Sequence, residues 1–282
     1  MNHLAASGAP NEDYNLVAID NFAVPHAPFD AHAEMGGPLH RLSRGLARYV
    51  ATKRVRARNA RPLVTLSFDD IPDSAFTNGA RVLEDRGVRG TFYIAGGLCG
   101  TVEADRRLAS ASDCIELHRR GHEIGCHTFS HPIVQSLRAD AFAADLERNK
   151  KFFASLAPDL TLENFCFPYG VTSLSRKLQA QARFHSCRST KSGINVGSVD
   201  LGFLKSVPMD HAIDATKIAG LIDETVRHNG WLILFTHDVA PAPTWIGCTP
   251  QLLDSTIATA LQRGCEVVTV REGLRKIGAV TA

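Results

Sequence analysis

From Pro62 onward the sequence alternates short β-branched or aromatic runs with helical patterns, and no other feature constrains the fold as strongly. LVTLSF is followed by a helical pattern over 75–86, GTFYIA by one over 105–120, and HEIGC by one over 139–156. The runs ENFCFP, FHSCRS, GFLKSV, WLILFT and CEVVTV continue the series, with helical stretches near 173–183, 214–228 and 250–262. Each helix returns the chain to the same end of the sheet, so consecutive strands lie parallel. Gly87, Gly121, Gly230 and Gly264 fall between a helical pattern and the next strand, where a left-handed helix cap favours glycine. Seven or eight such units without a dinucleotide-binding glycine fingerprint predict an α/β fold of the (β/α)7-8 barrel type over an open doubly wound sheet.

Upstream of that series the pattern differs. Residues 1–38 carry Pro10, Pro25, Pro28 and Pro38 among Gly and Asn, which predicts an irregular arm. Leu39, Leu42, Leu46, Tyr49 and Val50 then recur at helical spacing between arginines. They predict an amphipathic helix packed on the main domain with its basic face in solvent. The chain thus divides into an arm and basic helix over 1–61 and a barrel domain over 62–282, with a homo-oligomer contact through the N-terminal segment as a further expectation.

At 282 residues and 44% hydrophobic content the chain can bury a substantial core. A formal charge of +2 offers no general attraction for nucleic acid, although eight Lys and Arg occur from Arg41 to Arg61 with no acidic residue between them. The N-terminus lacks a basic start and a continuous apolar core, and no later apolar run is long enough to span a bilayer, so a cytoplasmic protein is expected. The seven cysteines show no CxxC pair, which predicts reduced, buried thiols.

Residues with chemical potential stand at the ends of the strands. Asp69 and Asp70 close SFDD, His127 and His131 bracket HTFSH, Pro168 and Tyr169 lie in FPYG, and His237 follows WLILFT. In a parallel βα barrel those carboxyl ends share one face, so residues distant in sequence converge. His127 and His131 can aim both imidazoles at one ion, with Asp69 or Asp70 as a third protein ligand. Pro132 disfavours a helical conformation at His131 and predicts a turn leaving the strand. One aspartate can bind metal while the other takes a proton from water, a division suited to metal-assisted hydrolysis. His237 can donate a proton to a leaving group. The alternatives are a carboxylate pair that caps the next helix, a role for which Asp73 and Ser74 are already suited, and a His237 held structurally by Asp238.

Together SFDDI, HTFSH, FPYG and LFTHD resemble the motifs of NodB-type polysaccharide deacetylases, carbohydrate esterase family four, over roughly Pro62 to Val270. The resemblance implies an irregular, partly open barrel and removal of N-acetyl, occasionally O-acetyl, groups from sugars. It implies Asp69 as general base and His237 as general acid. Asp70, His127 and His131 would be the ligands of a divalent ion, most simply Zn2+, with Co2+, Ni2+ or Mn2+ as alternatives. The backbone amide of Tyr169 would bind the oxyanion, and Phe235 would line the acetyl-methyl pocket in place of a leucine. Tyr169 and Trp245 would offer platforms to an N-acetylated glycan or oligosaccharide, Trp245 being equally readable as a hydrophobic plug.

Three departures concern the supporting residues. Cys166 stands where the family has an arginine that orients the catalytic aspartate. Lys205, near the end of GFLKSV, is the preferred replacement, with Arg183 and Arg188 as alternatives. The fourth motif's tryptophan is missing between 190 and 230, and Asp210 in LKSVPMD is the expected partner of the acid histidine, ahead of Asp200 and Asp214. Ile71 replaces the first motif's glycine. Two other functions fit the same residues: allantoinase-like opening of a cyclic amide or ureide, and a catalytically silent glycan-binding module.

Overall fold

The computed structural model describes residues 37–103 and 106–281, so nearly all of the expected arm lies outside the described residues. In chain order the first elements are α1 (Pro38–Tyr49), β1 (Arg54–Arg56), β2 (Leu63–Asp69), α2 (Ala80–Asp85), β3 (Thr91–Ile94), α3 (Ala111–Arg119), β4 (Glu123–Cys126), α4 (Ala139–Leu156) and β5 (Asn164–Cys166). There follow α5 (Leu174–Gln181), β6 (Ser186–Arg188), β7 (Ser198–Asp200), β8 (Val207–Pro208), α6 (Ala215–Arg227), β9 (Trp231–Thr236), α7 (Pro250–Gln262), β10 (Glu266–Val267) and α8 (Val270–Lys276).

β2 and β9 are buried at every position, as parallel strands covered on both faces must be, and this accounts for their largely apolar sequences. The sheet runs β6-β5-β4-β3-β2-β9-β8, with β10 added on β2, and its pairings are parallel. A parallel bridge between Arg188 and Leu204 carries the β6 edge toward the segment that enters β8, so the sheet curls into an irregular, partly open barrel. Phe68 and Phe92 stack at 4.6 Å within the main core, which the helices cover from outside through Leu83, Leu117 and Ile257.

Helix α3 starts at Ala111, later than periodicity suggests, because Ser110 forms a reciprocal capping box with Asp113. Gly87, Gly121 and Gly264 take φ of 70, 85 and 79, as their positions predict, but at the fourth site Asn229 adopts the left-handed turn. Gly230 is needed there for space, since a Cβ would lie 2.6 Å from Ile194 Cγ2.

The basic N-terminal segment is tied to the barrel. β1 pairs antiparallel with β7, Arg54 opposite Asp200. Lys177 of α5, fully buried, donates to the carbonyls of Ala47 and Val50 and to Asp200, so its charge closes the C-terminal end of α1. The face that α1 presents corrects the amphipathic expectation. Leu39, Leu42 and Tyr49 are 79%, 62% and 75% exposed, whereas Ala47 is buried and Ser43, Arg44 and Gly45 are half-buried. Small residues on the inner face allow the close approach that brings the helix carbonyls to Lys177. No described helix is long and apolar enough to cross a membrane.

Candidate active site

Loops following β2, β4 and β5 adopt a backbone conformation that side chains ordinarily avoid. Asp70 and Ile71 have φ of 59 and 55, Thr128 and His131 of 66 and 52, and Tyr169 of 57. Such a conformation costs about 1–2 kcal/mol for a residue carrying a Cβ, so surrounding contacts must hold it. The turn after β2 lets Asp69 and Asp70 line one cavity, although adjacent residues of a continuing strand face opposite sides. The loop between the histidines is fixed by Asp145 of α4, which accepts the Phe129 amide at 2.7 Å, and by Thr128 Oγ1, which accepts the His131 amide at 3.1 Å. Asp73 and Ser74 form no side-chain cap on the next helical turn; Ser74 Oγ accepts the Val239 amide instead.

Asp70, His127 and His131 each bring one possible ligand atom within 4.8 Å of the others. His127 Nδ1 donates to the Cys166 carbonyl at 2.8 Å, which leaves Nε2 as the ring's electron-pair donor. His131 Nδ1 lies 3.0 Å from the Tyr169 hydroxyl. The two Nε2 atoms stand 3.5 and 3.0 Å from Asp70 Oδ1, yet this buried oxygen accepts no hydrogen bond. An orphaned carboxylate oxygen facing two imidazole nitrogens is a donor set that fits a divalent cation. Burial alone would raise the Asp70 pKa, but His131, His127 and His237 hold its carboxyl well below the usual range.

Asp70 Oδ2 receives Arg106 Nη2 at 3.1 Å, and Glu103 holds the same guanidinium at 2.6 Å. Arg106 belongs to no motif and sits 36 residues beyond Asp70, so nothing in the sequence points to it.

Asp69 Oδ2 accepts a hydrogen bond from Arg188 Nη2, while Oδ1 is buried at the cavity without a hydrogen-bond partner. This arrangement corrects the choice of Lys205, whose Nζ reaches the Ile194 carbonyl at 3.3 Å. Arg183 lines a separate hollow with Glu147 and Lys150. The reason lies in strand register: Cys166 and Arg188 are direct partners on β5 and β6. A guanidinium rising from β6 therefore enters the space that an arginine on β5 would occupy, and the small thiol, 2.7 Å from Nη2, leaves room for it. Arg188 is fully buried, 4.5 Å from the Phe235 ring and 5.3 Å from that of Tyr93, and Asp69 compensates its charge.

His237 Nε2 lies 3.9 Å from Asp70 Oδ2, and its Nδ1 faces the Ile246 carbonyl at 3.3 Å. Asp210, expected to support this histidine, instead accepts the Ala212 amide at 2.9 Å, because the turn before α6 directs its carboxylate back onto its own loop. Asp200 pairs with Lys177, and Asp214 caps α6 through the Lys217 amide. Asp238 holds the following loop by accepting the Thr244 amide at 2.8 Å and the Thr244 hydroxyl. Gly247 closes against it: a Cβ there would lie 2.2 Å from Asp238 Oδ1. That loop delivers both the Ile246 carbonyl and Trp245.

These residues surround one cavity of about 360 Å³. Phe235 forms part of its wall, and Tyr169 and Trp245, 43% and 70% exposed, stand at its rim.

The family described as polysaccharide deacetylase matches residues 56–186. A chitin deacetylase of Colletotrichum lindemuthianum is 26% identical over 221 residues, 75% of this chain and 79% of the relative. A solved family 4 acetyl xylan esterase from Clostridium thermocellum, in complex with a cobalt ion, superposes with a TM-score of 0.53 at 26% identity, over 75% of this chain and 90% of that one. A carbohydrate esterase family 4 pseudoenzyme from Bacillus anthracis shares the fold at a TM-score of 0.54 and 14% identity, covering 80% of this chain and 70% of that one. Fold likeness thus spans an esterase and a pseudoenzyme, while sequence match and motif residues point the same way: over residues 56–186 the chain matches the polysaccharide deacetylase family, and it is similar to a chitin deacetylase and to carbohydrate esterase family 4 structures.

Proposed function

We propose that the chain is a metal-dependent deacetylase that hydrolyses N-acetyl groups of a sugar polymer or oligosaccharide and releases acetate. The observation that carries this reading is the convergence in one cavity of Asp69 with an unpartnered Oδ1, the Asp70, His127 and His131 cluster, and His237. A divalent ion held by those three ligands, most simply zinc, would supply Lewis acidity toward the acetyl carbonyl and lower the pKa of water.

The chain's own groups account for the proton movements. Asp69 Oδ2 stays on Arg188, so Oδ1 is the atom that takes a proton from water as its oxygen bonds to the acetamide carbon. The Tyr169 amide is assigned to the developing oxyanion, where one donor is worth roughly a hundredfold or more in rate. His237, with Nδ1–H directed at the Ile246 carbonyl, presents Nε2–H to the sugar nitrogen. That nitrogen takes the proton as the C–N bond breaks, leaving a free amine and acetate.

Tyr169 and Trp245 at the rim favour an extended glycan over a small cyclic ureide, because a ring enclosed in the cavity would gain nothing from platforms outside it. Acetate release from N-acetylglucosamine oligomers, measured beside ring opening of cyclic ureides before and after chelation, tests the reading. The expected result is acetate release that disappears with chelator and returns with metal. Ring opening without acetate release would shift the assignment to the ureide, and bound metal with neither activity would shift it to a silent binding module.

A further inference from the structure

The reaction leaves the basic N-terminal run unused. Helix α1, pinned by Lys177, lays Arg44 and Arg48 along a hollow of about 250 Å³ that shares Tyr169, Gly170 and Thr190 with the catalytic cavity. Arg48 and Phe203 also line the next hollow, of about 150 Å³, to which Lys191 and Lys205 contribute. Shared walls thus make a track from the reacting centre to a strongly basic end.

Among the described residues no carboxylate forms an ion pair with Arg48, Lys191 or Lys205. Asp200 lines the hollow, but Lys177 and the amides of Thr52 and Lys53 already engage its oxygens. Lys191 Nζ donates to the Arg48 carbonyl at 2.9 Å and stands 4.8 Å from the Tyr49 ring, and Lys205 Nζ donates to the Ile194 carbonyl. Burial, then the neighbouring charges of Lys205, Arg48 and Lys177, push the Lys191 pKa down, as expected where like charges crowd together. An anion entering the hollow would relieve that repulsion, and a neutral sugar would not.

We propose that this basic end is a subsite for an anionic group of the substrate, a carboxylate or a phosphate carried on the glycan beyond the N-acetyl sugar that reacts. The inference rests on the deacetylase reading and narrows its substrate class to acidic or phosphorylated N-acetylated glycans.

The test compares wild type with the Arg48→Gln/Lys191→Gln pair and with Lys205→Gln. The substrates are three oligomers of equal length: neutral N-acetylglucosamine, one bearing carboxylates and one ending in a phosphate. Wild type is expected to show a lower KM for a charged oligomer than for the neutral one, an advantage that fades as salt is added. In the paired variant the KM for the charged oligomer should rise about tenfold, with kcat and the neutral KM unchanged. Lys205→Gln should give a smaller rise in the same direction. Preference for the carboxylated oligomer assigns an acidic sugar, and preference for the phosphorylated one assigns a phosphate-linked glycan. Equal KM values for neutral and charged oligomers in wild type, or equal losses on both in the variants, overturn the subsite. Calorimetric titration of the same oligomers separates the two claims. Charge-dependent binding lost in the paired variant, without acetate release from any oligomer, keeps the subsite and removes the deacetylase reading. Acetate release without charge preference does the reverse.

Discussion

The part of the site suited to a metal and the part that steadies Asp69 and His237 are built by different means. Asp70, His127 and His131 come from two short motifs, and the left-handed turns that aim them are local. Arg188 reaches Asp69 from β6, a strand that does not pair with β2, and Ile246 faces His237 from nine residues downstream. A ligand set made within a turn tolerates little change in spacing. A supporting cation or carbonyl can come from any segment that ends at the right point, so evolution can move it between strands without moving the chemistry.

The comparison breaks most visibly if the first part proves dispensable. His127→Ala should reduce bound metal to background and acetate release with it, as read by elemental analysis and an acetate assay. Arg188→Met should be the next largest effect. Removing one member of a buried ion pair costs about 3–5 kcal/mol of stability, measurable by denaturant unfolding, and kcat should fall while bound metal is retained. The exchange Cys166→Arg with Arg188→Cys should recover much of what Arg188→Cys alone loses; a double variant no better than the single one would refute the equivalence of the two strand positions. Trp245→Ala should raise KM for long oligomers by about fivefold with kcat preserved, the scale of one aromatic contact. Lys205→Met and Asp210→Asn should stay within about twofold of wild type on neutral oligomers, as surface changes away from the chemistry do. A large loss from either would return the support roles to them.

Much of the barrel was legible because β2 and β9 are largely apolar runs that leave no solvent face. Helix α1 was legible as a helix but not in orientation: its leucines suggested the packed face, and the buried ammonium of Lys177 decides otherwise. The five residues that face one another in the cavity could be read from strand ends and spacing. The replacement for the motif arginine carried a weaker signal that was there to use. Cys166 and Arg188 each close their strands, so equal height on adjacent strands favours Arg188, whereas Lys205 precedes β8 and turns toward Ile194. Arg106 and Ile246 act through a long loop and a main-chain carbonyl, and neither leaves a side-chain pattern to recognise.

Asp69→Asn, assayed for bound metal and acetate release on the same sample, probes the assignment of base and ligand most directly. Metal content equal to wild type with turnover lower by about a thousandfold is expected, since asparagine keeps the shape but cannot take the proton. Turnover near wild type, or loss of the metal, would contradict the division of labour between Asp69 and Asp70.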